Sequence, residues 1–259
     1  MSNQLILREA NGVTRVDELG QLSSAIDYAL SESHNGHFII EDFLEKEGNS
    51  SDCDGFSIEG KLVFCSFDDQ LFDAKALNPY TPAAYTWPST IPQWAQEELR
   101  SELQRLMTLL NVKTGVYNIE TRLCKNGKPY IMELAPRGGG NRLSEMMKYI
   151  SGQDLIDNCV RAAVGDSIDE IHQPDYDGYW AEIILHSERY GVFQSIEIDK
   201  TVEEHFLIEK DIWVKTGDKV QGFTGANTTI GTLVLRFDTN EEMTCCLSNQ
   251  ETWLKIIVL

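Results

Sequence analysis

The stretch "YIMELAPRGGGN", residues 130–141, decides how this chain is read. Tyr130, Ile131, Met132 and Leu134 form the apolar run of a strand, and Glu133 sits in their middle. Pro136 and Arg137 then lead into Gly138, Gly139 and Gly140. A carboxylate within a strand needs a partner or water. Three glycines leave the backbone free to approach something closely.

Just upstream, Asn126-Gly127 separates this run from a second strand over residues 116–123. Asn-Gly between two such runs predicts a hairpin with a two-residue type I′ turn. That turn sets Lys125 opposite Lys128, Leu123 opposite Tyr130, Glu120 opposite Glu133 and Asn118 opposite Ala135. Like charges directly across a ladder are destabilising. Either a divalent cation bridges Glu120 and Glu133, or both acids are solvated. Mg²⁺ suits the first arrangement, because it takes one or two carboxylates together with phosphate and water. The glycines leave two readings as well. They form a flexible loop, or they bring backbone N–H groups and a helix start near Ser144 toward an anion, with Arg137 as a fork beside them.

Farther out, Leu22, Ala25, Ile26, Ala29 and Leu30 recur at helical spacing behind Asp17, a candidate N-cap. "FIIEDFLE" (38–45) reads as an apolar strand ending in acid, and "GFSIEGKLVFCSF" (55–67) as a hairpin turning at Glu59-Gly60. Residues 73–92 carry Pro79, Pro82, Pro88 and Pro92 and read as a long ordered loop. A helix follows, with Trp94, Leu99, Leu103, Leu106, Met107 and Leu110 as its apolar stripe. Two further helices are expected near 143–150 and at 154–164, the second stopped by Gly165. Residues 179–259 read as short strands with glycine turns, which puts a boundary near Pro174.

The bulk properties exclude several classes. With 259 residues, 42% of them hydrophobic, the chain supports one or two domains. No apolar run approaches the ~20 residues of a membrane helix, and "MSNQLILREANG" has no secretory pattern. The net charge of -19 is spread along the chain and disfavours nucleic acid as a partner. The six cysteines include no C-x-x-C pair and read as free thiols of a cytoplasmic protein. The five histidines offer no zinc spacing, and no Ser/His/Asp or Cys/His arrangement is visible.

The order "GVTRVDELGQLSSAIDYAL", "FIIEDFLE", "DGFSIEGKLVF", "GVYNIETRL", "YIMELAPRGGGN", "SGQDLIDNCVRAAVG" resembles the ATP-grasp carboxylate–amine ligases over about residues 12–165. The resemblance implies an α+β fold, an antiparallel sheet with packed helices followed by a small β-rich domain. It divides the chain into a partial ATP-grasp domain over 1–174, which binds nucleotide and Mg²⁺, and a β-rich domain over 175–259. It implies that Glu41, Phe43 and Leu44 form the hinge that holds the adenine of ATP, with Glu47 and Asn49 as candidates for the ribose. Glu120 and Glu133 match the Mg²⁺-binding acids, Arg137 the arginine on the γ-phosphate or acyl phosphate, and Asn141 a further group in that loop. The implied reaction activates a small-molecule carboxylate with ATP for attack by an amine.

Two departures accompany the resemblance. Many members have asparagine where this chain has Ala135, which leaves Asn118, opposite it, as the candidate amide for a second metal site. The family also places an α/β domain and a lysine with a glycine-rich loop ahead of the segment matching "GVTRV". Here eleven residues precede Gly12, without lysine or glycine and with Arg8 as their only basic residue. The expectation is a ligase polypeptide incomplete on its own, with a partner chain supplying the missing part and the apolar surfaces left exposed favouring self-association. The alternatives are a non-catalytic remnant or nucleotide-binding subunit, and a structural protein with solvated acids.

Overall fold

A computed structural model describes residues 12–259; Arg8 and the rest of the N-terminal stretch lie outside the described residues. The chain begins with α1 (Leu22–Glu32), then β1 (Lys46–Ile58), β2 (Lys61–Ser66), β3 (Asp69–Phe72) and β4 (Pro82–Trp87). Next come α2 (Gln93–Leu109), β5 (Gly115–Cys124), β6 (Pro129–Ala135), α3 (Leu143–Ser151) and α4 (Leu155–Val164). The later part holds β7 (Tyr179–Leu185), β8 (Gly191–Ile198), α5 (Lys200–His205), β9 (Leu207–Ile212), β10 (Lys219–Val220), β11 (Gly231–Phe237), α6 (Asn240–Ser248), α7 (Gln250–Trp253) and β12 (Leu254–Val258).

These strands form three antiparallel sheets, ordered β2-β1-β5-β6, β3-β4-β7-β11-β9 and β10-β8-β12. One face of the four-stranded sheet packs Cys53, Cys65 and Ile119 against Leu99, Leu103 and Met107 of α2. Its other face turns toward α3 and the five-stranded sheet, where Phe56, Tyr85, Trp87, Met146, Met147, Trp180 and Val234 share one core. The far side of the five-stranded sheet is covered by the three-stranded sheet and α6, through Phe193, Met243, Trp253 and Val258. Strand alternation therefore decides which side chains of β1 and β5 face the space between the two larger sheets.

Several expectations hold. The β1–β2 turn is at Glu59-Gly60, both at positive φ, as a type I′ turn requires. Gly165 ends α4 in the left-handed region, and Asp154 caps its start.

Others are corrected. Asp17 does not cap α1; its carboxylate pairs with Arg15 at 2.8 Å, and a 3₁₀ turn over Leu19–Gln21 enters the helix instead. The "FIIEDFLE" segment forms no strand; only its end meets β5, where Lys125 N–H donates to Glu45 O at 2.9 Å, and Phe38, Ile39, Ile40 and Phe43 are exposed. The proline-rich loop contains β4, an inner strand; Pro82 stands at its first residue, where a missing N–H is tolerated. Trp94 is exposed, so the buried stripe of α2 is Ala95, Leu99, Leu103 and Met107. The stretch 179–259 carries helices as well as strands, and Thr239 with Glu242 forms the capping box that opens α6. Residue 174 lies between α4 and β7, where there is no helix or strand, and the five-stranded sheet draws β3 and β4 from before it.

Candidate active site

The β5–β6 turn is a three-residue loop with only Gly127 at positive φ; Cys124 N–H donates to Lys128 O at 3.0 Å. Leu123 consequently faces Pro129, one residue away from the two-residue-turn register. Met132 is then the extra residue of a bulge between Ile131 and Glu133, and it restores the register beyond. Glu120 faces Glu133, and Asn118 faces Ala135, as the sequence predicts.

A third acid stands in the same row. Asp52 of β1 pairs with Glu120 of β5, so Asp52, Glu120 and Glu133 line up across three neighbouring strands. The alternation "DCD" at 52–54 signals two acids on one strand face, but the neighbouring strand cannot be read from it. Burial, partly offset by a bond from Asn118, raises the Asp52 carboxyl to about 6, and Asp54 repels it further. The Glu120 carboxyl is also raised, by its packing first and then by Asp52 and Glu133. Behind the row, Asp68 is fully buried; burial and the nearby Asp52 push its carboxyl far up, although Asp52 N–H donates to it at 2.8 Å.

Asn118 is engaged at both ends of its amide. Its Nδ2 donates to Asp52 Oδ1 at 2.6 Å, and its Oδ1 accepts from Arg137 Nη1 at 3.4 Å. The exposed Arg137 also donates to Gly138 O at 2.9 Å, which stations its guanidinium at the end of the acid row. The glycine loop packs on the protein's own carboxylate, with Gly139 N–H donating to Asp54 Oδ1 at 2.9 Å. A Cβ at Gly139 would lie 2.6 Å from Leu143 Cδ1 and 2.8 Å from Asn118 Nδ2. Glycine at 139 is therefore a packing requirement.

The loop then crosses to the second sheet. Asn141 and Arg142 both take left-handed backbone, and Asn141 Nδ2 donates to the Tyr85 hydroxyl of β4 at 3.3 Å. Arg142 opens α3, pairs with Glu145 and with Glu209 of β9, and donates to Thr232 of β11. Glu182 of β7 is fully buried with no hydrogen-bond partner on either oxygen; burial pushes its carboxyl far up against the pull of Arg142. Tyr85 and Glu182 carry no local sequence signal, because strand pairing brings them here, and Arg142 is carried in by the turn from the glycine loop into α3.

The remaining predicted residues lie toward the start of β1. Glu41, Phe43 and Leu44 are in the unladdered segment; the Arg15 guanidinium lies 4.0 Å from the Phe43 ring centroid, and Leu44 O accepts from Arg122 at 3.3 Å. Glu47 is exposed, and Asn49 Nδ2 donates to Asp69 at 3.3 Å. Among the described residues no three His, Cys, Asp or Glu side chains converge as a metal cluster. The facing pair is thus a two-carboxylate set, the kind Mg²⁺ takes together with phosphate and water. No described helix is long and apolar enough to cross a membrane.

Known proteins share this fold. The chain is similar to carnosine synthase 1 of Gallus gallus, 30% identical over 118 residues that make up 46% of this chain and 12% of that one. It superposes on the L-amino acid ligase of Bacillus licheniformis with a TM-score of 0.74 at 19% identity, covering 96% of this chain and 63% of that chain. It superposes on the biotin carboxylase domain of the Hydrogenobacter thermophilus 2-oxoglutarate carboxylase, in complex with MgADP, with a TM-score of 0.67 at 15% identity; the match covers 92% of this chain and 52% of that chain. The chain thus spans less than two thirds of the length of each of these proteins. Residues 9–145, from before α1 through the acid-bearing hairpin to the start of α3, match the model of the ATP-grasp domain, and the chain belongs to the ATP-grasp family.

Proposed function

We propose that this chain binds ATP with Mg²⁺ beside the β5–β6 hairpin and joins a small-molecule carboxylate to an amine. A carboxylate oxygen attacks the γ-phosphorus and ADP leaves; the amine then attacks the acyl carbon, phosphate leaves, and the amine loses a proton as the amide forms. The observation that carries this reading is the facing of Glu120 and Glu133, with Arg137 two residues beyond the end of β6 and bonded to Asn118. Glu120 and Glu133 would hold the metal, whose chemistry is to neutralise phosphate charge. Arg137 offers a guanidinium fork to the γ-phosphate or acyl phosphate. The backbone of 41–44 takes the adenine edge, Glu47 and Asn49 the ribose, and Asn141 a polar contact from the loop. Catalysis comes from orientation and charge complementarity. The four-stranded sheet supplies the nucleotide and metal wall, and the five-stranded sheet, drawn from both sides of residue 174, the opposite wall. The six free thiols support a cytoplasmic setting.

A second reading is a nucleotide-binding subunit that acts with a partner chain or a second copy. Phe38, Ile39, Ile40 and Phe43, exposed along the proposed adenine segment, favour it.

The test is calorimetric titration of Mg²⁺–ATP into the parent, Glu120→Gln, Glu133→Gln and the double variant, with an assay of ADP release on pooled amino acids and small carboxylates. Binding lost in the variants, with turnover on the order of 1–10³ per second in the parent, supports the ligase. Binding without turnover supports the subunit. A double variant that binds as tightly as the parent sinks both.

A further inference from the structure

We propose that Asp54 is a positioning residue whose buried carboxylate clamps the Gly138–Gly139 peptide and so sets where Arg137 stands. The clamp is read from contacts alone; its consequence for nucleotide rests on the function proposed above.

Asp54 sits in the middle of β1, paired with Ser66 on one side and Asn118 on the other, so its backbone is held from both sides. Donors from three elements converge on its carboxylate. Gly139 N–H and Asn118 Nδ2 reach Oδ1 at 2.9 and 3.4 Å, and the Ser144 hydroxyl reaches Oδ2. A carboxylate suits this place because it accepts on both oxygens and donates on neither.

The loop it holds has little order of its own. Three consecutive glycines are followed by Asn141 and Arg142, both in left-handed backbone. Ordering such a segment costs about 1–2 kcal/mol per residue, so an outside anchor decides its conformation.

The link to Arg137 runs through one rigid plane. The N–H of the Gly138–Gly139 peptide points to Asp54, and the C=O of the same peptide accepts from Arg137 Nη1 at 2.9 Å. A trans peptide is planar, with its N–H and C=O directed oppositely. Fixing the N–H on Asp54 therefore fixes where the carbonyl is presented to the guanidinium. Without Asp54 the plane is free to rotate, and Arg137 keeps only the longer bond to Asn118.

The experiment compares Asp54→Asn, and Ser144→Ala as a milder cut, with the parent by amide hydrogen exchange without nucleotide. Exchange over residues 137–143 should quicken about tenfold or more in Asp54→Asn, and less in Ser144→Ala, while residues 61–66 are unchanged. The Arg137 Nε–H resonance should lose side-chain order in the same variants. Loop exchange and Arg137 order that match the parent in a folded variant overturn the clamp. Should Asp54→Asn not fold, unchanged loop exchange in Ser144→Ala overturns it equally. A double-mutant cycle adds the functional arm. Asp54→Asn should weaken Mg²⁺–ATP binding about tenfold in the parent and have no further effect in an Arg137→Ala background. Equal losses in both backgrounds refute the route through Arg137. A parent that binds no Mg²⁺–ATP ends the proposed function, and the exchange and resonance measurements still decide the clamp.

Discussion

Glu120 and Glu133 face each other because two irregularities in one hairpin cancel. The three-residue loop at Lys125–Gly127 slips the pairing by one, and the bulge at Met132 slips it back. A one-residue slip moves every side chain of a strand to the other face. Without the bulge, Glu133 would leave the cleft and an apolar neighbour would take its place.

Replacing either acid should therefore stabilise the metal-free protein. In EDTA, Glu120→Gln or Glu133→Gln should raise unfolding free energy by about 0.2–1 kcal/mol, the size of a relieved like-charge pair. With Mg²⁺ and ATP present, the parent should gain stability and the variants should not. Urea titrations under the two conditions measure both effects.

Asp52 makes stability fall as pH rises. Its carboxyl titrates near about 6 in the fold against a reference value of 3.8. The folded protein thus holds more protons than the unfolded chain between those values, and the cost of ionising the buried acid is fully present above them. That cost is about 3 kcal/mol. Asp52→Asn should have little effect near pH 4 and should stabilise the metal-free protein by up to that amount at pH 7. Urea midpoints for parent and variant across the window give the comparison.

Two adjacent glycines should respond differently to alanine. A Cβ at Gly139 meets Leu143, Asn118 and Asp54 at 2.6, 2.8 and 3.0 Å, whereas a Cβ at Gly140 meets nothing within 4 Å. Gly139→Ala should cost about 1–3 kcal/mol, as overpacking does. Gly140→Ala should stay within about 0.5 kcal/mol. Equal midpoints for the two variants would contradict the seating of the loop.

Arg142 and Glu182 should show coupling. Arg142→Met removes the links to Glu145, Glu209 and Thr232 and takes the cation away from buried Glu182. A loss of about 3 kcal/mol is expected. In a Glu182→Met background the loss should be smaller by about 0.5–3 kcal/mol, because no acid is then left behind. The cycle is measured by chemical denaturation at pH 7.

The sequence by itself determined what local chemistry dictates. Apolar periodicity marks α2, Gly165 stops α4, Glu59-Gly60 turns β1 into β2, and Asn126-Gly127 brings Glu120 near Glu133. Each of these interactions joins residues close along the chain, so residue type and spacing are sufficient. The loop at Asn126-Gly127 is one residue longer than the Asn-Gly pattern predicts, and only the compensating bulge keeps the acids opposed.

The tertiary structure decided everything that depends on which strand lies beside which. Alternation puts Asp52 and Asp54 on one face of β1, but it takes the pairing of β1 with β5 to set Asp52 beside Glu120 and Asp54 beside Asn118. It takes the pairing of β4 with β7 to make an inner strand of a proline-bounded segment and to bring Tyr85 opposite Glu182. The strand expected at "FIIEDFLE" had the composition, but residues 38–45 enter no sheet ladder. A strand's ladder partners are remote in sequence, and a single chain's side-chain pattern names its buried face without naming its neighbour.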